Sequence, residues 1–247
     1  MKHVFSRTVG LLAAVLTISG SGLVAANHAN AQTILEEQGS IEPALEEYTV
    51  TMEAGDVVAI TMTSEDFDTV LTLLGPSGEE VAFNDDFGGT LNSQIVYTAA
   101  ESGEYTIISK SFDGEGGDFN IQVRPATDYE VAFSEAQASV EAQDYEAAIA
   151  AYTEAIELDS SMPEAYLGRA DAYFGRAQSE LEAQGEILED PMDLTSEARE
   201  AIVADFQSAA ELYEANGDPF TAESLREQIQ YLETGEFPGP SGGGPRE

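Results

Sequence analysis

Oxygen ligands gather at two points of the sequence: Asp66 and Asp68, just before Val70-Leu71, and Asn84-Asp85-Asp86, just after Phe83. Two short apolar runs and the turn Gly75-Pro76-Ser77-Gly78 separate them, so a hairpin would bring both groups to one end. Ca²⁺ takes about six to eight oxygens, and carboxylates on adjacent loops suit it. The spacing is not that of an EF-hand loop. Asp and Asn also shape turns by accepting backbone N–H bonds, and in a chain with 47 acidic residues that role outweighs the cation site. Asp113, Glu115 and Asp118 form a second acidic loop, read as a solvated turn. Paired carboxylates could also cleave a glycosidic bond if one had a raised pKa in an apolar cleft. The acidic corners here are rich in Gly and the chain has no Trp to stack on a sugar, so a non-enzymatic protein is expected. Arg169 and Arg176, seven apart, share a helix face that could hold a partner's acidic group, or bridge to nearby Glu.

The start of the chain limits the chemistry further. Lys2 and Arg7 lead into an apolar run from Leu11 to Val24, and Ala29-Asn30-Ala31 follows the small-x-small cleavage pattern. Residues 1–31 therefore read as a secretory signal peptide, with the product periplasmic or extracellular. The run is short for a bilayer span, and no later segment is apolar enough to be one. Both histidines, His3 and His28, leave with the signal, and there is no Cys. Nucleophile–His catalysis, His- or Cys-ligated zinc and disulfides are thereby excluded within the chain. Removal of Lys2 and Arg7 leaves 7 basic residues against 47 acidic ones, a net charge of −40. Nucleic acid and anionic surfaces are poor partners for such a chain, whereas cations and basic protein patches are suitable ones. The near absence of Lys suggests a salty medium. Salt screens like-charge repulsion, so Tm should climb as NaCl is raised, and a flat titration would refute the idea.

Two hydrophobic periods divide the rest. From about Leu45 to Arg124 the period is two, as in Val58, Ile60 and Met62 or Phe119, Ile121 and Val123. Seven strands are predicted over 46–52, 56–63, 68–74, 79–84, 93–98, 103–110 and 117–124. Short strands at this spacing make an antiparallel sandwich. After Pro125-Ala126-Thr127-Asp128 the period becomes helical. Asp144 caps a helix carrying Ala148, Tyr152 and Ala155, and Pro163 opens another bearing Tyr166, Ala170, Tyr173 and Phe174, all read as core. Ala136 and Ala138 recur 34 residues on as Ala170 and Ala172. Tyr152, Ala155, Glu157 and Leu158 recur 54 on as Phe206, Ala209, Glu211 and Leu212, which is 34 plus an insertion of 20. The insertion falls near 179–196, an acidic stretch with Gly185 and Pro191. The organisation is then a linker over 32–43, a sandwich over 44–124, helical repeats over 128–233 and a disordered Gly/Pro tail over 234–247.

The 34-residue period with small residues at Ala136, Ala148, Ala155, Ala170 and Ala209 resembles the tetratricopeptide repeat. Phe220 to Leu232 resembles its closing cap. Ser160 and Ala132 depart from the pattern, standing where that family prefers Pro and an aromatic. The sandwich half resembles the bacterial pre-peptidase C-terminal domain. The likeness is carried, in order, by Gly55-Asp56, Asp66-Phe67-Asp68-Thr69, Gly75-Pro76-Ser77-Gly78, Asn84-Asp85-Asp86, Ser102-Gly103-Glu104-Tyr105 and Gly117-Asp118-Phe119. Together the resemblances imply a jelly-roll-like β-sandwich followed by a short α-helical repeat domain. They imply protein or peptide binding in the helical groove, with the sandwich as an accessory domain. The alternative they leave open is a polysaccharide- or polymer-binding module for a secreted hydrolase, stabilised by Ca²⁺.

Overall fold

Val58, Ile60 and Met62 are buried on one face of their strand, as are Tyr105 and Ile107, and Phe119, Ile121 and Val123 on theirs. A period of two places these side chains on the same side of each strand, and two such faces close over one core. The computed structural model describes residues 6–7, 35–41, 46–87 and 90–236, in two units, Met1–Thr127 and Asp128–Glu247. Apart from Ser6–Arg7, the expected signal segment lies outside the described residues, as does the tail from residue 237.

The strands are β1 (Ser6–Arg7), β2 (Leu35–Ile41), β3 (Glu46–Met52), β4 (Val57–Ser64), β5 (Thr69–Leu74), β6 (Glu80–Asn84), β7 (Ser93–Thr98), β8 (Gly103–Ser111) and β9 (Gly117–Pro125). One sheet runs β1-β3-β8-β5-β6 and the other β2-β9-β4-β7. β1 adds only a two-residue parallel pair to β3. With β2 to β9 counted as strands one to eight, the sheets run 2-7-4-5 and 1-8-3-6. This is the order of a two-Greek-key jelly roll.

One expectation changes. The segment 32–43, read as a linker, contains β2, which pairs antiparallel with β9 from Leu35↔Val123 to Ile41↔Gly117. The segment Leu35-Glu36-Glu37-Gln38-Gly39-Ser40-Ile41 has too few apolar residues to show a period of two. It becomes a strand because the β9 edge is there to accept it, a tertiary effect that overrides weak local preference.

The helical unit comprises α1 (Asp128–Glu141), α2 (Tyr145–Leu158), α3 (Pro163–Gln184), α4 (Ser196–Ala215) and α5 (Pro219–Thr234). Asp144, Thr195 and Asp218 cap α2, α4 and α5 by accepting N–H bonds from Ala147, Ala198 and Thr221. Each helix packs on the next. Ala136, Ala148, Ala155, Ala170 and Ala209 are fully buried, as small residues must be where helices cross closely. Phe133 lies edge-on to Tyr152 and stacks on Tyr129, which supplies aromatic bulk beside Ala132.

The insertion is only partly a loop. It begins as a continuation of α3 to Gln184, ends that helix at Gly185 with φ 77°, and then forms a 3-10 turn at Pro191–Asp193. A left-handed residue is best supplied by Gly. The turn anchors Leu194 and Leu188 in a cluster with Ala170, Ala177, Ala198, Ile202 and Leu232, so the insertion ties α3 and α4 to the end of α5. Leu194 is 4% exposed. Leu194→Ala should therefore cost about 2–4 kcal/mol, read as a lower urea midpoint for the helical far-UV signal. An unchanged midpoint would mean that the insertion is not part of the core.

Candidate functional site

β5 and β6 are antiparallel neighbours with Leu71 opposite Asn84, so the start of β5 and the end of β6 meet at one end of the sandwich. Asp66 accepts the Asp118 N–H at Oδ2 (2.8 Å), and Gly117 sits so close to the Asp66 side chain that a Cβ there would collide with it. Asn84 accepts the Gln94 N–H (2.9 Å) and donates to the Asp86 carbonyl (2.9 Å). Two of the five expected cation ligands thus fix turns. Asp113 does the same, accepting from Ser111 Oγ (2.8 Å) and the Glu115 N–H (3.0 Å). Those bonds, the backbone one foremost, hold its carboxyl below the usual range.

Asp68 differs. Its Oδ1 is shielded from solvent and makes no hydrogen bond. Burial chiefly, and then the charges of Asp86, Asp85 and Asp113, raise its pKa. Asp86, Asp85 and Asp113 thus lie close enough for their charges to act on Asp68. No group of three such side chains among the described residues is placed to hold a metal ion. Because the pKa is raised, Asp68 adds destabilisation as pH rises from near 3.8 through its folded value, and that cost persists above it. Asp68→Asn should accordingly raise Tm at pH 7 and leave it unchanged near pH 3. A lower Tm at pH 7 would show that the charge is compensated.

In the helical unit, Arg169 donates through Nε (3.0 Å) and Nη2 (2.6 Å) to the two oxygens of Asp205, and through Nη1 to Thr153 Oγ1 (3.0 Å). This fork ties α2, α3 and α4 together and raises the guanidinium pKa, chiefly through the hydrogen bond to Asp205. Arg176 reaches Glu146 (2.9 Å) and Glu180 (3.8 Å) and stacks over Tyr173 at 5.3 Å. Of the two readings of this pair, the bridge to the chain's own carboxylates is the one present, fully so at Arg169. Asp205 escaped the sequence reading. The signal was present: Ala198, Ile202, Asp205 and Ala209 form one buried helical stripe, so Asp205 is an acid at a core position.

A pocket of about 280 Å³ opens between α3, α4 and α5. Phe174, Ile202, Phe206, Tyr231 and Leu232 supply apolar walls around Ala170, while Asp171 and Gln228 supply polar groups. Phe174, expected in the core, is 41% exposed and lines this opening. Asp171 lies at the open rim of the pocket and makes no hydrogen bond or ion pair among the described residues; the protein packed around it still desolvates the carboxyl enough to raise its pKa.

Several solved structures resemble part of the chain, among them the following three. The pre-peptidase C-terminal domain of a Bacillus anthracis collagenase is 16% identical, covering 36% of this chain and 87% of that one, with a TM-score of 0.32. An Aeromonas hydrophila periplasmic inhibitor of g-type lysozyme is 17% identical, covering 41% and 93%, with a TM-score of 0.33. A structure of CBM51-2 and INT domains from Clostridium perfringens ZmpB is 14% identical, covering 68% and 34%, with a TM-score of 0.25. No curated protein matches in sequence. Residues 136–175, from α1 through the first half of α3, match the model of the TPR repeat.

Proposed function

We propose that the chain is an exported, non-catalytic protein that holds a protein or peptide partner through its tetratricopeptide-like helices, with the β-sandwich as an accessory domain. The observation that carries this reading is the solvent-open apolar pocket among α3, α4 and α5. An apolar cleft with a few polar groups is where a ligand gains most from leaving water. The repeat type matched at 136–175 implies protein partners in general. No helix among the described residues is long and apolar enough to cross a membrane. The direct test is cross-linking of the full chain in the exported fraction, followed by mapping of the linked peptides. Links on α3 and α5 that vanish in Phe174→Glu support the reading. Links confined to the sandwich, or retention on insoluble polysaccharide unaffected by Phe174→Glu, would overturn it in favour of polymer binding.

A second reading attaches to the sandwich. No three of these side chains are placed to coordinate an ion together, so the unpartnered Asp68, crowded by the charges of Asp86 and Asp85, favours a loosely held Ca²⁺ at that corner rather than a formed metal centre. Such an ion would reinforce the loops and perform no catalysis. Millimolar Ca²⁺ should raise Tm in the native chain and not in Asp68→Asn, with EDTA reversing the effect. No calorimetric heat and no Tm shift would dismiss the ion.

A further inference from the structure

Resting on the groove reading above, we propose that the pocket between α3, α4 and α5 receives one Arg or Lys side chain of a basic partner segment. The cation lies on the Asp171 carboxylate and the methylene stem on the apolar walls. The size of the space points to a single side chain, because about 280 Å³ lies just below the range of cavities that enclose a cofactor or drug-sized molecule. The chemistry of the lining points to a cation. Phe174, Phe206, Ile202 and Leu232 offer apolar and aromatic surface, and Asp171 offers a negative charge without an ion-pair partner. Long basic side chains suit that combination, burying an aliphatic stem while the charged head finds a carboxylate or an aromatic face. A purely apolar occupant would strip water from Asp171 and give it nothing in return.

The unit's own described cations are engaged elsewhere. Arg169 is held by Asp205, Arg176 by Glu146 and Glu180, and Arg226 by Glu214 and Glu223. Arg199 donates to the Pro191 carbonyl and the Met192 sulfur. None of the described cations of this unit supplies the positive charge, and the chain's net charge of −38 steers basic partner segments toward the pocket.

The test is a fluorescence anisotropy titration of the full chain. The probe is a labelled Gly-Ser-Arg-Leu-Arg-Ser-Gly peptide, compared with the peptide carrying neutral citrulline for both arginines and with one carrying leucine. The expected result at physiological salt is binding of the arginine peptide, weakened about tenfold by citrulline, by Asp171→Asn and by Phe174→Ala. Circular dichroism is to check that both variants fold, which is expected because both changes are at positions open to solvent. Equal binding by native chain and variants would mean attraction by diffuse charge, and would overturn the proposal. Binding of the leucine peptide that needs Phe174 and ignores Asp171→Asn would overturn it while leaving the groove reading intact. No binding by any peptide would count against both. Binding that appears only in Arg246→Ala would identify the chain's own terminus as the occupant and displace the partner.

Discussion

Arg169→Met should lower the stability of the helical unit by about 3 kcal/mol. Removing one member of a buried ion pair leaves the other charge without compensation, which costs about 3–5 kcal/mol. Asp205 is 3% exposed, so it is the uncompensated member. The Arg169 side chain is 19% exposed, so some water reaches the site and the lower end of that range applies. Thr153 loses its donor in the same change. The double variant Arg169→Met/Asp205→Leu should recover most of the loss, because exchanging both charges for apolar groups of similar size is often neutral. Urea unfolding followed by the helical far-UV signal reads the effect, and the sandwich has to be followed separately because two units need not unfold together. A loss below about 1 kcal/mol in the single variant would show that solvent compensates Asp205. A double variant worse than the single would show that the pair is a net stabiliser.

Gly168→Ala should cost about 1–2 kcal/mol, against the usual sign. In a helix interior that exchange normally gains up to about 1 kcal/mol. At Gly168 the added Cβ would fall inside the contact shell of the Tyr152 ring. Tyr152 cannot move aside readily: it is 5% exposed and held edge-on by Phe133. Overpacking a well-filled site costs about 1–3 kcal/mol, which exceeds the propensity gain. Burial raises the pKa of this tyrosine to about 12, consistent with its close surroundings. Gly175 stands one heptad later against Tyr145 and should respond in the same direction. Pairing Gly168→Ala with Tyr152→Leu should return the normal sign. A stabilised single variant would show that α2 and α3 separate freely at this point.

What could be read from the sequence followed from periodicity. Seven strands lie close to their expected places, and the second helix begins at its expected Asp144 cap, because burial on one face writes itself into every second or every third to fourth residue. The corner from Asp66 to Asp86 was legible as a place where carboxylates meet, since a hairpin fixes that by chain connectivity alone. Which of them shape turns was not legible: Asp66 is bonded to Asp118 N–H, 52 residues away. The arrival of Asp113 beside Asp68 is of the same kind.

The sequence by itself determined the two hydrophobic periods, the small residues where helices cross, the acidity and the absence of Cys, all of which are local or compositional. Only the tertiary structure decided that 35–41 is a strand, that Asp205 and not a ligand takes Arg169, that Phe174 opens to solvent and that Asp171 lacks an ion-pair partner. Each of these depends on which distant segment arrives opposite a given side chain. Local preference, worth tenths of a kcal/mol to about 1 kcal/mol per residue, does not specify that arrival, whereas close packing of the whole core does.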